Sequence, residues 1–177
     1  MEKYTKAVLY VYPLLVTVGK DYEEHIRNKA LLSYDTRIDA ESLIEYIASE
    51  IIRKERLEWL KSIVEEVLEK LSDTERALIA IRYFGKSRKL CRFTKTKTDG
   101  QGVLKKESWS ERTYFRQQQR LGLKLSAMLK AAGLTEELYQ NWFSDMELFK
   151  KIEKFIMKKE RQFNRPIRRA DALAAAR

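Results

Sequence analysis

Between Asp39 and Leu71 the chain contains neither glycine nor proline, and an apolar residue returns every three or four positions. Leu43, Ile47, Ile51, Leu57, Leu60, Val64, Val67 and Leu71 carry that stripe. Asp39 has the short acceptor side chain that a helix N-cap needs. The run predicts one helix of roughly 48 Å at 1.5 Å per residue. Such a helix cannot bury its stripe against one short neighbour, so it requires a second helix or a second subunit. Its last turns, ERLEWLKSIVEEVLEKL, set charged flanks around the apolar positions, and a homodimer through this helix is one way to cover them.

The whole chain is poor in turn formers, with six glycines and two prolines in 177 residues. That scarcity favours long helices, and the expected fold class is all-α. Residues 4–34 repeat Ala7, Val11, Leu14, Val18, Tyr22 and Ile26 at helical spacing, while β-branched Val8, Val11, Val16, Thr17 and Val18 leave a strand open at the start. Pro13 is expected to kink this helix or to sit in its first turn. The apolar stretch Ala7–Val18 is too short to span a bilayer and no secretory signal is visible, so no membrane partner is expected. A single cysteine, Cys91, excludes an internal disulfide and suits a reducing, cytoplasmic setting. His25 has no second histidine to complete a metal site, and no acid pair or nucleophile constellation stands out. The expectation is therefore a protein without catalytic activity, metal or cofactor.

Charge is divided unevenly along the chain. Residues 1–85 hold 13 basic and 16 acidic residues, whereas residues 86–130 hold 13 basic and 3 acidic ones. Residues 131–149 contribute four acids and no base, and residues 150–177 hold 10 basic and 3 acidic residues. Two positive blocks on an otherwise near-neutral or acidic chain match the footprint of a polyanion partner, and equally the uneven surface charge common among soluble proteins.

Three segments follow from the punctuation. Residues 1–71 form a helical region ending in the long helix of 39–71. Residues 72–133 begin with a capping box, Ser72 and Glu75, that opens a helix over DTERALIAIRYFG. The segment from Lys86 to Glu107 then holds eight basic residues, and its TKTKTDGQG predicts a loop or a short hairpin. Ser108 and Glu111 are spaced as a second capping box, starting a helix over 108–130 that stops at Gly133. In residues 134–177, Thr135 caps a last helix with Leu138, Trp142, Met146, Phe149, Ile152 and Ile156 on one face. This helix is expected to end before Pro166, leaving a basic tail.

On the helix of 108–130, Tyr114, Leu121, Leu125 and Met128 fall within about 40° of one another at 3.6 residues per turn, which marks a buried face. Arg112, Arg116, Phe115 and Gln119 fall on the other side, with Arg120 and Lys124 flanking the apolar stripe. Arginine makes bidentate bonds to guanine and glutamine to adenine in a major groove that admits one helix. Solvation of a plain surface helix explains the same composition, because arginine and glutamine are also good helix formers.

The pair LSDTERALIAIRYFG and WSERTYFRQQQRLGLKL resembles region 4 of bacterial sigma-70-type factors, and the phage-type transcription regulators that share its helix-turn-helix. Leu71, Ser72, Glu75, Arg76, Arg82, Tyr83 and Phe84 match the first element; Ser110, Arg112, Tyr114, Leu121 and Leu125 match the second. The likeness covers about residues 71–130. It implies that Glu111, Arg112, Phe115 and Arg116 meet base edges, with Gln119 beside them. Phosphates would fall to Ser110, Thr113, Arg120 and Lys124, and to Lys86, Arg88, Lys89, Arg92, Lys95, Lys97, Lys105 and Lys106. The family's middle helix has no counterpart; the basic segment 86–107 stands in its place, as a wing or an arm along the backbone. The implied function is a DNA-binding transcription regulator with double-stranded DNA as partner. The competing expectation is a helical module that binds RNA polymerase or another protein without reading DNA.

Overall fold

The computed structural model describes residues 1–32, 39–84, 94–98, 104–108 and 110–174, with side chains described for 1–31, 39–84, 110 and 112–161. Helix α1 (Lys3–Val11) runs through a 3-10 turn (Tyr12–Leu14) into α2 (Leu15–Leu32), followed by α3 (Ala40–Glu69) and α4 (Asp73–Tyr83). A two-stranded antiparallel ribbon, β1 (Thr94–Thr98) with β2 (Leu104–Ser108), precedes α5 (Glu111–Ala131), α6 (Glu136–Phe143) and α7 (Glu147–Ala174). Every residue of the buried core lies on a helix or at a helix end, so the fold class is all-α.

The start of the chain is helical despite its β-branched residues, because burial overrides their local preference. Tyr4, Ala7, Val8, Leu9 and Val11 of α1 are almost wholly enclosed, packed against α5 and α7. Pro13 occupies the 3-10 turn near its N-terminal end, where a missing N–H costs little. Core residues come from all three sequence segments: Leu57, Leu60 and Val64 from α3, Leu78 and Leu125 from α4 and α5, and Tyr139, Phe143 and Phe149 from α6 and α7. Each enclosed leucine of this set contributes about 1.5–3 kcal/mol of hydrophobic burial. The aromatic rings lock the far side, with Phe143 and Phe149 centroids 5.0 Å apart and Tyr139 edge-on to Phe149 at 5.7 Å.

Asp39 caps α3 by accepting from the Ser42 backbone N–H at 3.3 Å. The partner that this long helix needs is α2, which runs antiparallel to it; His25 meets the Tyr46 hydroxyl at 2.6 Å, and Lys54 lies 3.6 Å from Glu23. Only the part of α3 from Leu57 onward reaches the core, with Glu50 buried ahead of it as the partner of Arg53. Ile51 departs from the expected stripe and is exposed, as are Ile44 (67 %) and Ile52. The reason is geometric: the steps Leu43–Ile47–Ile51 are all of four residues, and each turns about 40° past a full circle. The stripe from Leu57 to Val67 alternates steps of three and four, and so stays on one side.

Two further expectations are corrected. The single helix after Thr135 is two helices, α6 and α7, broken at Ser144–Met146. There the Ser144 hydroxyl donates to the Gln140 carbonyl, while Asp145 receives Arg53 from α3 at 3.5 Å. The last helix also continues through Pro166 to Ala174. Proline there removes one N–H donor to the carbonyl four residues back without ending the helix.

Helix α5 ends in a complete Schellman motif. The Leu134 N–H donates to the Leu129 carbonyl at 2.9 Å and the Gly133 N–H to the Lys130 carbonyl at 3.1 Å, with Gly133 at φ 97°. An added Cβ at Gly133 meets only the Trp59 ring at 4.0 Å, so backbone conformation rather than space demands glycine. Gly133→Ala is expected to lower unfolding free energy by about 1–2 kcal/mol, read as a shift in urea midpoint with an unchanged helical circular-dichroism spectrum.

Candidate nucleic-acid interface

The N-terminus of α4 is held by a reciprocal box. The Glu75 N–H donates to Ser72 Oγ at 3.3 Å, and the Ser72 N–H donates to Glu75 Oε2 at 3.0 Å. Helix α5 starts differently from the spacing of Ser108 and Glu111. Ser108 is the last residue of β2, in register with Thr94, and Ser110 is the N-cap, accepting from the Thr113 N–H at 3.2 Å. Ser110 takes the extended conformation that a cap requires, whereas Ser108 is committed to the ribbon. Ser110 Oγ and Thr113 Oγ1 are 2.9 Å apart, so the two hydroxyls bond one another at the helix tip.

The inner face of α5 carries Leu121, Gly122, Leu125 and Leu129, with Tyr114 half-buried and its ring edge-on to Phe115 at 5.6 Å. Gln118 lies on this face, only 8 % exposed. Its amide nitrogen donates to the Leu78 carbonyl at 3.4 Å and to the Tyr114 hydroxyl at 3.1 Å, while its oxygen accepts from Arg82. One glutamine therefore fixes α5 to α4 and holds the Arg82 guanidinium, which also lies 5.6 Å from the Tyr83 ring centre. Burial pushes the Tyr83 hydroxyl up to about 12, so this ring remains neutral at physiological pH. Neither Gln118 nor Arg82 was among the expected contact residues. The signal was available for Gln118, which stands four residues after Tyr114 and three before Leu121, hence on the apolar stripe.

Arg112, Phe115 (50 % exposed), Arg116, Gln119 and Arg120 are exposed on the outer face of α5 together with Leu123. Arg112, Arg116 and Arg120 stand at four-residue intervals and form one cationic row along the helix. Glu111 is the first residue of α5; its side chain lies outside the described residues. Lys124 is turned back onto the fold, donating to both oxygens of Glu75 at 2.8 and 2.9 Å. Burial by itself raises the Glu75 carboxyl, but the bonds from Lys124 and Ser72 outweigh it and hold the group below the usual carboxylate range.

The ribbon brings four of the expected phosphate contacts into one ladder. Lys95 pairs in register with Glu107, Thr96 with Lys106 and Lys97 with Lys105. Lys86, Arg88, Lys89 and Arg92 lie outside the described residues. Chemically, the α5 surface offers fixed cations, an amide and an exposed ring, which suits recognition of an anionic polymer. Among the described residues no three His, Cys, Asp or Glu side chains are grouped to hold a metal ion, and no helix is long and apolar enough to cross a membrane.

The Glu75 shift sets a pH dependence. Its folded value lies below the unfolded one, so the stabilisation is present at neutral pH and is lost as pH falls through the lowered value. Urea midpoints measured from pH 7 down to pH 3 should fall less steeply for Glu75→Gln than for the parent chain, the two curves converging at the acid end. No family model, no curated protein and no solved structure matches this chain.

Proposed function

We propose that the protein is a DNA-binding transcription regulator of the sigma region 4-like kind, of phage or mobile-element type, with α5 in the major groove. The observation that carries this reading is the outer face of α5. Arg112, Phe115, Arg116, Gln119 and Arg120 are exposed there, while the acid of the preceding helix that lies nearest, Glu75, is already neutralised by Lys124. Arg112 and Arg116 would donate in pairs to guanine O6 and N7, and Gln119 would pair with adenine. Phe115 would lie against a thymine methyl, and Glu111 would accept from cytosine N4. Ser110, Thr113 and Arg120 would fix the helix on phosphates, which position without reading sequence.

The ribbon supports the same reading. Lys97 and Lys105 stand opposite one another in the ladder, an arrangement that destabilises a free sheet and that a phosphate would relieve. Lys95, Lys97 and Lys105 share one face of the ribbon and would follow the backbone beside the groove, as Lys86, Arg88, Lys89 and Arg92 would from the segment before it, while Lys106 stands on the other face. Release of counterions then supplies much of the affinity, which makes binding steeply salt-dependent.

Fluorescence anisotropy against a random duplex pool at 50 and 200 mM salt tests this reading, with on the order of a thousandfold loss expected for six or more phosphate contacts. Absence of binding at the lower salt overturns it. Against a duplex selected from that pool, Arg112→Ala and Arg116→Ala should each cost about 1–3 kcal/mol and relax preference at one base position.

A second reading has its own observation. Ile44, Ile51 and Ile52 lie exposed on α3, away from α2, and such a patch suits a protein partner such as RNA polymerase or a second copy of the chain. Capture of a protein that Ile44→Asp abolishes, together with no shift of any duplex, supports that alternative.

A further inference from the structure

Helix α7 carries a second cationic surface that the α5 reading leaves unused. Its inner side is committed to the core: Phe149 and Ile156 are buried, Ile152 packs against them, and Glu160 receives Lys6 from α1. Its outer side shows Lys151, Lys154, Lys158 and Arg161, at steps of three and four residues, and none of these has an acidic partner among the described residues. Phe155 is 46 % exposed on the same side. The remaining turns of the helix add Arg165, Arg168 and Arg169 in sequence.

One edge of this surface is physically continuous with α4 and α5. Lys159 lies 5.1 Å from the Phe155 ring centre and 5.4 Å from that of Tyr10, and its ammonium meets the Tyr10 hydroxyl at 3.4 Å. The Tyr10 ring stands edge-on to Phe155 at 5.6 Å and to Tyr83 at 4.9 Å. Tyr83 in turn lies under Arg82, which Gln118 holds against α5. A ledge with Lys159 at one end, Arg82 at the other and the Tyr10 and Tyr83 rings between them thus runs from α7 across α1 to the end of α4.

We propose that the outer side of α7 together with this ledge, a surface carried by Lys151, Lys158 and Lys159, is a second contact with the sugar-phosphate backbone of duplex DNA, outside the segment that α5 reads. The inference rests on the DNA-binding reading of α5. Charge decides the class of partner: lysines without acids favour a polyanion, and spaced ammonium groups bind phosphates as point charges without reading bases. A membrane surface fits less well. An interfacial helix inserts its apolar face between lipids, and the apolar face of α7 is already buried against α1 and the aromatic core.

The test is the salt dependence of binding to a duplex that carries the selected site with ten added base pairs on each side. The triple variant Lys151→Gln, Lys158→Gln, Lys159→Gln should weaken binding equally for selected and random duplexes. It should also lower the slope of log affinity against log salt by about 0.9 per lost phosphate contact, hence by about 2–3. A control variant, Lys54→Gln, Lys61→Gln, Lys70→Gln, removes the same charge from α3 and its C-cap and should leave the slope near that of the parent. Thermal melting and circular dichroism establish that both variants fold. An unchanged slope in the α7 variant, or equal changes in both variants, overturns the ledge while leaving α5 recognition standing. If the parent chain binds no duplex but sediments with phosphatidylserine vesicles, both the ledge and the α5 reading are overturned.

Discussion

Burial of α1 is the constraint on which the rest of the arrangement depends. A nine-residue helix is too short to persist alone in water, since nucleation costs more than so few hydrogen bonds return. Its stability comes from enclosure of Tyr4, Ala7, Val8, Leu9 and Val11 by its neighbours. Those neighbours are thereby oriented: α7 must turn Phe149 and Ile156 inward, and α5 must do the same with Leu121, Leu125 and Leu129. The cationic sides of α5 and α7 face outward because their apolar sides are occupied by one shared element. Ser126 of α5 and Lys6 of α1 add polar ties at the same junction, to Thr5 and Glu160 respectively.

Within that frame, the side chains around α4 and α5 separate into those that build and those that are free to bind. Lys124 and Gln118 belong to the first group. The lysine is spent on Glu75, which is itself half of a helix cap, and the glutamine satisfies a carbonyl, a hydroxyl and a guanidinium in a buried position. A buried amide of this kind is costly unless all its partners are present, so it fixes the packing of two helices more narrowly than leucine would. Among the described residues, Arg112, Arg116, Gln119 and Arg120 make no comparable commitment.

Much of the helical plan was legible because helix ends carry local chemistry. Asp39, Ser72, Thr135 and Gly133 act at the ends where their residue types place them. Other features depended on what lies nearby in space. Ser108 and Ser110 both satisfy a cap pattern, and the pairing of β2 with β1 decides between them. The break at Ser144–Met146 follows from packing Phe143 against Phe149 across a corner, which a periodic stripe does not encode. Lys124 stood at the flank of the apolar stripe, as a phosphate-binding residue would; its partner Glu75, 49 residues earlier, becomes visible only when α4 and α5 meet. The ledge on α7 is of the same kind, since Tyr10, Tyr83 and Lys159 are brought together by three different helices.

The paired helices α2 and α3 extend past the point where α3 enters the core at Leu57. Beyond it their backbone hydrogen bonds are supported mainly by each other, through contacts such as Tyr46 with His25 and Lys29. Opening those outer turns uncovers little apolar area, so their local free energy of unfolding lies well below that of the turns around Leu57 and Leu60. In amide exchange these outer turns of α2 and α3 are expected to open as a separate, weaker cooperative unit.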